Sequence, residues 1–335
     1  MYIDKTGICD FALKSDKKVY KILQLTDMQI IDSSQRRVAD RINDEKVEYW
    51  APENIDRNCY SHIRSLVKQT EPDMIMITGD LVYGEFDDSG RIFTEFVNFM
   101  DSFEIPWAPV FGNHDNESMA GIKSQCDKLE GAKYCLFKRG NCTGNGNYSV
   151  GLYKDDEIKR VIYMLDSHGC YNAAEEETHI KSGIYEDQQN FMRETAKRAG
   201  NAKSFQAYHI PCNEFRIVEE AKGYDPDGKY IIGVDTEPTP GDFGCKSRVL
   251  VGYDVPGYFE LLKELNTDGI FVGHYHTVNT SILYNDVRWT FGLKTGVYDF
   301  YNNGQLGGTL ITLDEELDEF SVVHVPTLVK YNDML

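Results

Sequence analysis

The sequence predicts an α/β chain in which strands alternate with helices at first and then give way to mainly strands, and three observations carry that reading. Residues 74–78 (MIMIT) form a continuous apolar run, the pattern of a strand buried on both faces. Residues 55–67 place Ile55, Cys59, Ile63, Leu66 and Val67 on one helical stripe that Glu71-Pro72 ends, so a helix separates that strand from an earlier one. Five apolar or β-prone runs stop on Asp, Asn or His: LQLTDMQ (23–29), MIMITGD (74–80), VFGNHDN (110–116), AYHIP (207–211) and FVGHYHT (271–277). Open α/β folds place their chemistry at carboxyl strand ends. Five such ends offering hard oxygen and imidazole donors point to a dinuclear metal site.

Taken in order, residues 19–25 read as the strand that delivers Asp27. Residues 30–55 are charged and aperiodic, so they read as a loop near the site. Arg36, Arg37 and Arg41 there are candidates to meet a substrate phosphate, with a solvated charged face as the plain alternative. The helix over 56–69 and the strand over 74–78 complete a βαβ crossover, right-handed by default, and His62 beside the helical stripe reads as structural. A helix at 91–103 and a short strand at 107–111 lead to the GNHD turn. A longer excursion over 117–147 ends in NCTGNGN. Strands at 148–153 and 159–165 form a hairpin around KDDE. Asp166 and His168 follow the second of these strands and read as structural. A helix at 186–199 precedes the strand SFQAY and His209. The stretch 212–255, rich in acidic, Gly and Pro residues, reads as a long insertion near the site that covers substrate and sets selectivity. A helix at 257–265 and the strand GIFV lead to GHYH, and strands at 280–284, 287–291, 308–313 and 319–324 close the chain.

At 335 residues and 41% hydrophobic, the chain can bury one large core; no linker divides it, so a single catalytic domain over 1–335 is expected, with its core at about 20–325. A formal net charge of −19 argues against binding a nucleic-acid backbone, which needs a basic face. It is compatible with a small phosphorylated substrate, because metal ions reverse the local potential. No apolar run approaches the length of a membrane span, and residues 1–21 lack the apolar core of an export signal. The expectation is a cytoplasmic enzyme with free thiols. Cys126, Cys135, Cys142 and Cys170 fall in polar stretches where bridges could form, but none shows zinc-finger spacing.

The ordered set Asp27, Gly79-Asp80, Gly112-Asn113-His114-Asp115, His209 and Gly273-His274-Tyr275-His276 resembles the calcineurin-like metallophosphoesterases, over about residues 20–313. GNHD and GHYH in this order, with a lone His between them, are specific. The tails GNHDNES, HIP after His209 and GLKTGVYDF at 292–300 resemble a branch related to the purple acid phosphatases. The resemblance implies a four-layer sandwich, two packed mixed β-sheets flanked by helices. It also implies hydrolysis of phosphoric mono- or diesters by a hydroxide held between two metal ions. Asp80 would bridge the ions, Asp27 and His276 would serve one, and Asn113, His209 and His274 the other. His114 would face the substrate as general acid, with an acid such as Asp115 holding its tautomer.

One departure matters. The family's first motif usually reads Asp-x-His, and here it is Asp27-Met28-Gln29, whose amide oxygen is a poorer donor. Purple acid phosphatases also lack that His and use a Tyr three residues after the bridging Asp, where this chain has Tyr83. A Tyr83 phenolate favours iron(III) beside a divalent manganese, zinc or iron; ordinary packing of Tyr83 is the alternative. Without the phenolate, Gln29 and water would complete a site suited to manganese or magnesium. The weakened first motif also leaves a second class open, a catalytically silent module that binds a phospho-ligand or nucleotide. The otherwise intact set of donors argues for the enzyme.

Overall fold

The computed structural model describes residues 2–35, 55–169, 181–222, 252–297 and 305–327. In chain order its elements are β1 (Phe11–Lys14), β2 (Tyr20–Leu25), α1 (Ile55–Thr70), β3 (Met74–Thr78), α2 (Arg91–Asp101), β4 (Trp107–Val110) and α3 (Ile122–Gly131). The hairpin β5 (Tyr148–Lys154) and β6 (Glu157–Met164) follows, then α4 (Glu186–Arg198), β7 (Lys203–Ala207), α5 (Glu214–Ala221), α6 (Tyr258–Glu264) and β8 (Thr267–Val272). β9 (Ser281–Tyr284), β10 (Val287–Phe291), β11 (Gly307–Leu313) and β12 (Phe320–Pro326) complete the set.

The strands form a seven-stranded sheet ordered β1-β5-β6-β7-β8-β10-β9 and a five-stranded sheet ordered β12-β11-β2-β3-β4. Both are mixed. β2, β3 and β4 run parallel in the smaller sheet, and β6, β7, β8 and β10 run parallel in the larger. β3 is a continuous apolar run buried throughout, and the other parallel strands are buried over most of their length, because helices cover the outer faces while the sheets face one another. One core cluster joins α1 and α2 (Ile63, Leu66, Phe93, Phe96) to both sheets, and Phe205 and Phe271 of the larger sheet pack edge-on against Phe320 of the smaller. A second cluster packs α4, α5 and α6 (Met192, Phe215, Leu261) against Trp289 and Ile270 on the far face of the larger sheet. This is the four-layer arrangement of two mixed sheets flanked by helices.

Two polar devices outside the donor cluster support this frame. Asp87 accepts hydrogen bonds from the Ile92 and Phe93 amides at 2.9 and 3.0 Å, satisfying donors in the first turn of α2. Arg160 on β6 is fully buried and its guanidinium lies 4.1 Å over the Phe205 ring. It pairs with Asp268 of β8 and donates to the Leu317 and Asp318 carbonyls at 3.1 and 2.6 Å, in the turn between β11 and β12. One side chain thereby stitches the larger sheet to the smaller at their amino rim.

Three elements differ from the sequence expectation. β1 is a four-residue strand paired parallel with β5 (Phe11↔Val150), a contact across more than a hundred residues that local periodicity cannot reveal. α3 lies inside the excursion over 117–147, for which the sequence reading set no element. The stretch 212–255 is not loop throughout, since it opens on α5; its residues 223–251 lie outside the described residues. The six described cysteines, Cys9, Cys59, Cys126, Cys135, Cys142 and Cys212, are free thiols. No helix among the described residues is long and apolar enough to cross a membrane.

Candidate metal centre

Parallel strands of both sheets end at one rim. β2, β3 and β4 lead there to Asp27, Asp80 and Asn113-His114, and β7 and β8 lead to His209 and to His274 and His276. Beyond the strands, segments 27–30 and 79–83 continue side by side, with the Asp27 amide donating to the Gly79 carbonyl and the Gln29 amide to the Asp80 carbonyl at 3.1 and 2.9 Å. Asp27, Gln29, Asp80 and His274 all adopt left-handed backbone (φ 52, 47, 51 and 74°), which costs about 1–2 kcal/mol each for non-glycine residues. Gln24 closes the gap between sheets by donating to Thr78 Oγ1 and to the Val272 carbonyl at 2.9 and 3.0 Å. Two motif glycines are there because nothing larger fits. A Cβ on Gly79 (φ +90°) would stand 2.5 Å from His209 Nδ1, and one on Gly112 would stand 2.1 Å from Asp80 Oδ1.

These constraints bring one donor atom each from Asp27, Asp80 and His209 within 4.8 Å of one another. His209 Nε2 lies 3.3 Å from Asp80 Oδ2 and 3.2 Å from Asn113 Oδ1, and His276 Nε2 lies 3.3 Å from Asp27 Oδ1. Donors that share one coordination sphere at about 2.1 Å are roughly 3.0–3.4 Å apart, so this spacing fits a cation. Asp27 Oδ1 is buried and accepts no hydrogen bond, an orphan that a cation would satisfy. The remaining oxygens are already engaged. Asp80 Oδ1 accepts from the His114 amide at 2.9 Å, and Asp27 Oδ2 accepts from Thr26 Oγ1 and the His274 amide at 2.8 and 3.0 Å.

The electrostatics agree. Burial opposes the charged form of Asp27, yet His276 and His209 hold its carboxyl well below the usual range; for Asp80, His209 and His114 do the same. Burial also works against a charged His209, but Asp80 and Asp27 push it up to about 9. Positive charge is thus wanted at His209 Nε2, and a cation seated there takes over from the proton. Burial and neighbouring His209 push His274 down to about 4, which keeps its ring neutral and able to ligate.

Around this cluster several expectations are revised. His114 Nδ1 lies 2.8 Å from Glu117 Oε2, three residues on in a 3-10 turn, and its ring stacks on Tyr83 at 4.0 Å with planes 24° apart. Asp115 does not fill the tautomer-holding role. It turns inward to accept the Val82 and Gly112 amides at 3.0 and 2.7 Å, and burial followed by Asp80's charge pushes it up to about 8. Gln29 does not offer its amide oxygen to the cluster either. That oxygen accepts from Lys294 Nζ at 2.7 Å, while its Nε2 donates to Asp80 Oδ2 at 3.2 Å. Glu117 and Lys294 were both missed as site residues. Each stands in a quoted motif tail, and Lys294 follows β10, another strand parallel to β8, as the other site residues follow theirs.

Asp166 and His168 are structural in their contacts: Asp166 accepts the Asn145 and His168 amides at 2.7 and 2.8 Å, in a buried network with Asn147 and Gln188. His62 is buried on α1 with Nδ1 3.2 Å from the Thr295 carbonyl. Arg36, Arg37 and Arg41 lie outside the described residues.

Phosphatase DCR2 of Saccharomyces cerevisiae is 23% identical over 283 residues, which cover 78% of this chain and 45% of that protein. Probable inactive purple acid phosphatase 14 of Arabidopsis thaliana is 23% identical over 317 residues, covering 86% and 72%. The chain spans about half the length of the yeast relative. Among solved structures, purple acid phosphatase PPD1 from yellow lupin seeds superimposes with a TM-score of 0.38 at 10% identity, over 89% of this chain and 50% of that one. The calcineurin-like phosphoesterase profile matches residues 20–278, from the start of β2 to just past His276, and the chain belongs to that family.

Proposed function

We propose that the chain is a phosphoric ester hydrolase working at a dinuclear metal centre. The observation that carries the reading is the convergence of Asp27, Asp80, Asn113, His209 and His276 on one rim, with Asp27 Oδ1 orphaned. Asp80, central among them, would bridge. Asp27 and His276 would hold one ion, with Tyr83 as a further candidate, and Asn113, His209 and His274 the other. When bound, the ions supply Lewis acidity toward a phosphoryl oxygen and lower the pKa of water.

The chain's own residues supply the rest. Asn113 contributes a neutral oxygen, leaving more Lewis acidity to its ion than a carboxylate would. Glu117 holds His114 at Nδ1, so Nε2 is the atom that hands a proton to the departing alkoxide. Tyr83, stacked on the ring, limits its rotation. The partner is a small phosphorylated molecule, mono- or diester.

A silent module that binds a phospho-ligand or nucleotide is the second reading. It is favoured by the engagement of Gln29's oxygen by Lys294, which leaves the first motif one donor short. Metal-reconstituted protein tested on a panel of mono- and diesters separates the two. Turnover abolished by chelation and by Asp80→Asn supports the hydrolase. Tight binding of one ester without turnover, both ions being present, favours the silent module.

A further inference from the structure

Lys294 is 2% exposed, and lysines are buried when their ammonium is well satisfied. Its Nζ donates to the Asp27 carbonyl at 3.0 Å and to Gln29 Oε1 at 2.7 Å. An ammonium can only donate, so it fixes the orientation of the Gln29 amide, and the NH2 group must face Asp80 Oδ2. The segment that carries Lys294 is itself locked in register, since the Thr295 and Gly296 amides donate to the Thr26 and Asp27 carbonyls at 2.9 and 3.1 Å. A Cβ on Gly296 would stand 1.9 Å from the Met28 carbonyl oxygen, so the two chains are in direct backbone contact.

We propose that Lys294 and Gln29 form a positioning pair that sets which ions the centre accepts, selecting divalent over trivalent ions at the Asp27 side. This rests on the metal-centre reading above. The pair acts in two ways. It places a fixed positive charge two hydrogen bonds from Asp80 Oδ2, and it occupies one lone pair of that carboxylate with an amide proton. Each added unit of charge on an incoming ion meets the ammonium's repulsion. At roughly 6–8 Å and an effective dielectric near 20, that amounts to a discrimination of about 10- to 100-fold per unit charge. Gln29 therefore acts through Asp80 and Lys294 through its charge, and neither needs to touch an ion. The pair bears directly on the iron(III) expectation, because a phenolate from Tyr83 would have to outweigh a cation built into the same side of the site.

The test is competitive loading of the metal-free chain from equimolar manganese(II) and gallium(III), a redox-inert trivalent probe, with elemental analysis of the bound ions. Lys294→Met is expected to raise the gallium-to-manganese ratio by about 10- to 100-fold over wild type. Lys294→Arg, which keeps the charge, is expected to retain the wild-type ratio. Lys294→Gln keeps hydrogen-bonding capacity without charge and serves where Lys294→Met does not fold; circular dichroism checks each variant. An unchanged ratio in a folded neutral variant that still binds metal overturns the proposal. A wild-type chain that binds neither ion overturns the metal-centre reading, and this inference with it.

Discussion

His209 donates Nδ1–H to the Thr78 carbonyl at 2.8 Å, so an imidazole carried by the seven-stranded sheet is held by a strand end of the five-stranded one. The bond fixes the tautomer and leaves Nε2 facing Asp80 and Asn113. The neighbouring Gly79 is the weak point of this tie. Gly79→Ala puts a methyl group 2.5 Å from Nδ1 at a φ of +90° and is expected to displace the ring. We expect metal affinity to fall by roughly 10- to 100-fold and stability by about 1–3 kcal/mol. Calorimetric metal titration and thermal melting read both, and unchanged affinity would show that the ring is set by something else.

His114→Ala should leave the ions bound, because the side chain is a proton donor in this reading and not a ligand. Hydrolysis of alkyl phosphate esters is expected to slow by about 10²–10⁴-fold, with a much smaller effect on nitrophenyl esters, whose leaving group needs little protonation. Glu117→Gln should show the same leaving-group selectivity in weaker form. Asp115→Ala should not show it, and should instead cost about 1–3 kcal/mol of stability by stranding the Val82 and Gly112 amides. Selectivity that follows Asp115 and spares Glu117 would reverse this assignment.

The contrast between Glu117 and Asp115 shows where the sequence was legible. The order of motifs and the strand ends that carry Asp27, Asp80, Asn113, His209 and His276 could be read from the sequence, most plainly at β3, where a doubly buried strand leaves an unbroken apolar run and the polar residue after it stands out. Side-chain direction in the turns could not be read. The 3-10 turn at 115–117 brings residue i+3 under His114 and sends i+1 inward, and nothing local distinguishes two neighbouring acids. Lys294 was hidden for a related reason: its partners Asp27 and Gln29 lie more than 260 residues away. α5 (EFRIVEEA) is two turns long and acidic, and only burial of Phe215 and Val218 against the larger sheet makes it a helix.

Glu219 on α5 gives a pH dependence that does not involve the proposed metal ligands. It is 1% exposed, its Oε1 accepts from Thr280 Oγ1 at 2.8 Å, and burial pushes its carboxyl up to about 8. The folded state therefore holds a proton that the unfolded chain releases near pH 4.5. The stability it contributes is present below that pH and is lost as pH rises toward 8, with a slope of at most about 1.4 kcal/mol per pH unit. Glu219→Gln is expected to flatten chemical-denaturation stability between pH 5 and 8. An unchanged slope would place the titrating group elsewhere.

Asp87→Ala removes the acceptor for the Ile92 and Phe93 amides. A loss of about 1–2 kcal/mol is expected, with metal affinity unaltered, since this cap lies outside the cluster. Equilibrium unfolding in urea measures the first and metal titration the second.

Arg160 sits at the rim opposite the metal cluster, and its position decides the order in which the molecule comes apart. At the opposite rim the sheets are tied by Gln24 and by backbone bonds from Thr295 and Gly296, and, on the proposed reading, also by ions that a chelator can remove. Stripping the ions is expected to speed amide hydrogen exchange around Asp27, Asp80 and His274 while β6, β7 and β8 stay protected, a local opening well short of global unfolding. Arg160→Met deletes the other edge, and because it takes the guanidinium from half-buried Asp268, leaving it only Lys203 at 3.8 Å, it should lower the global stability that exchange at those strands reports. A chain with that substitution would open from the amino rim first, with its ions still in place.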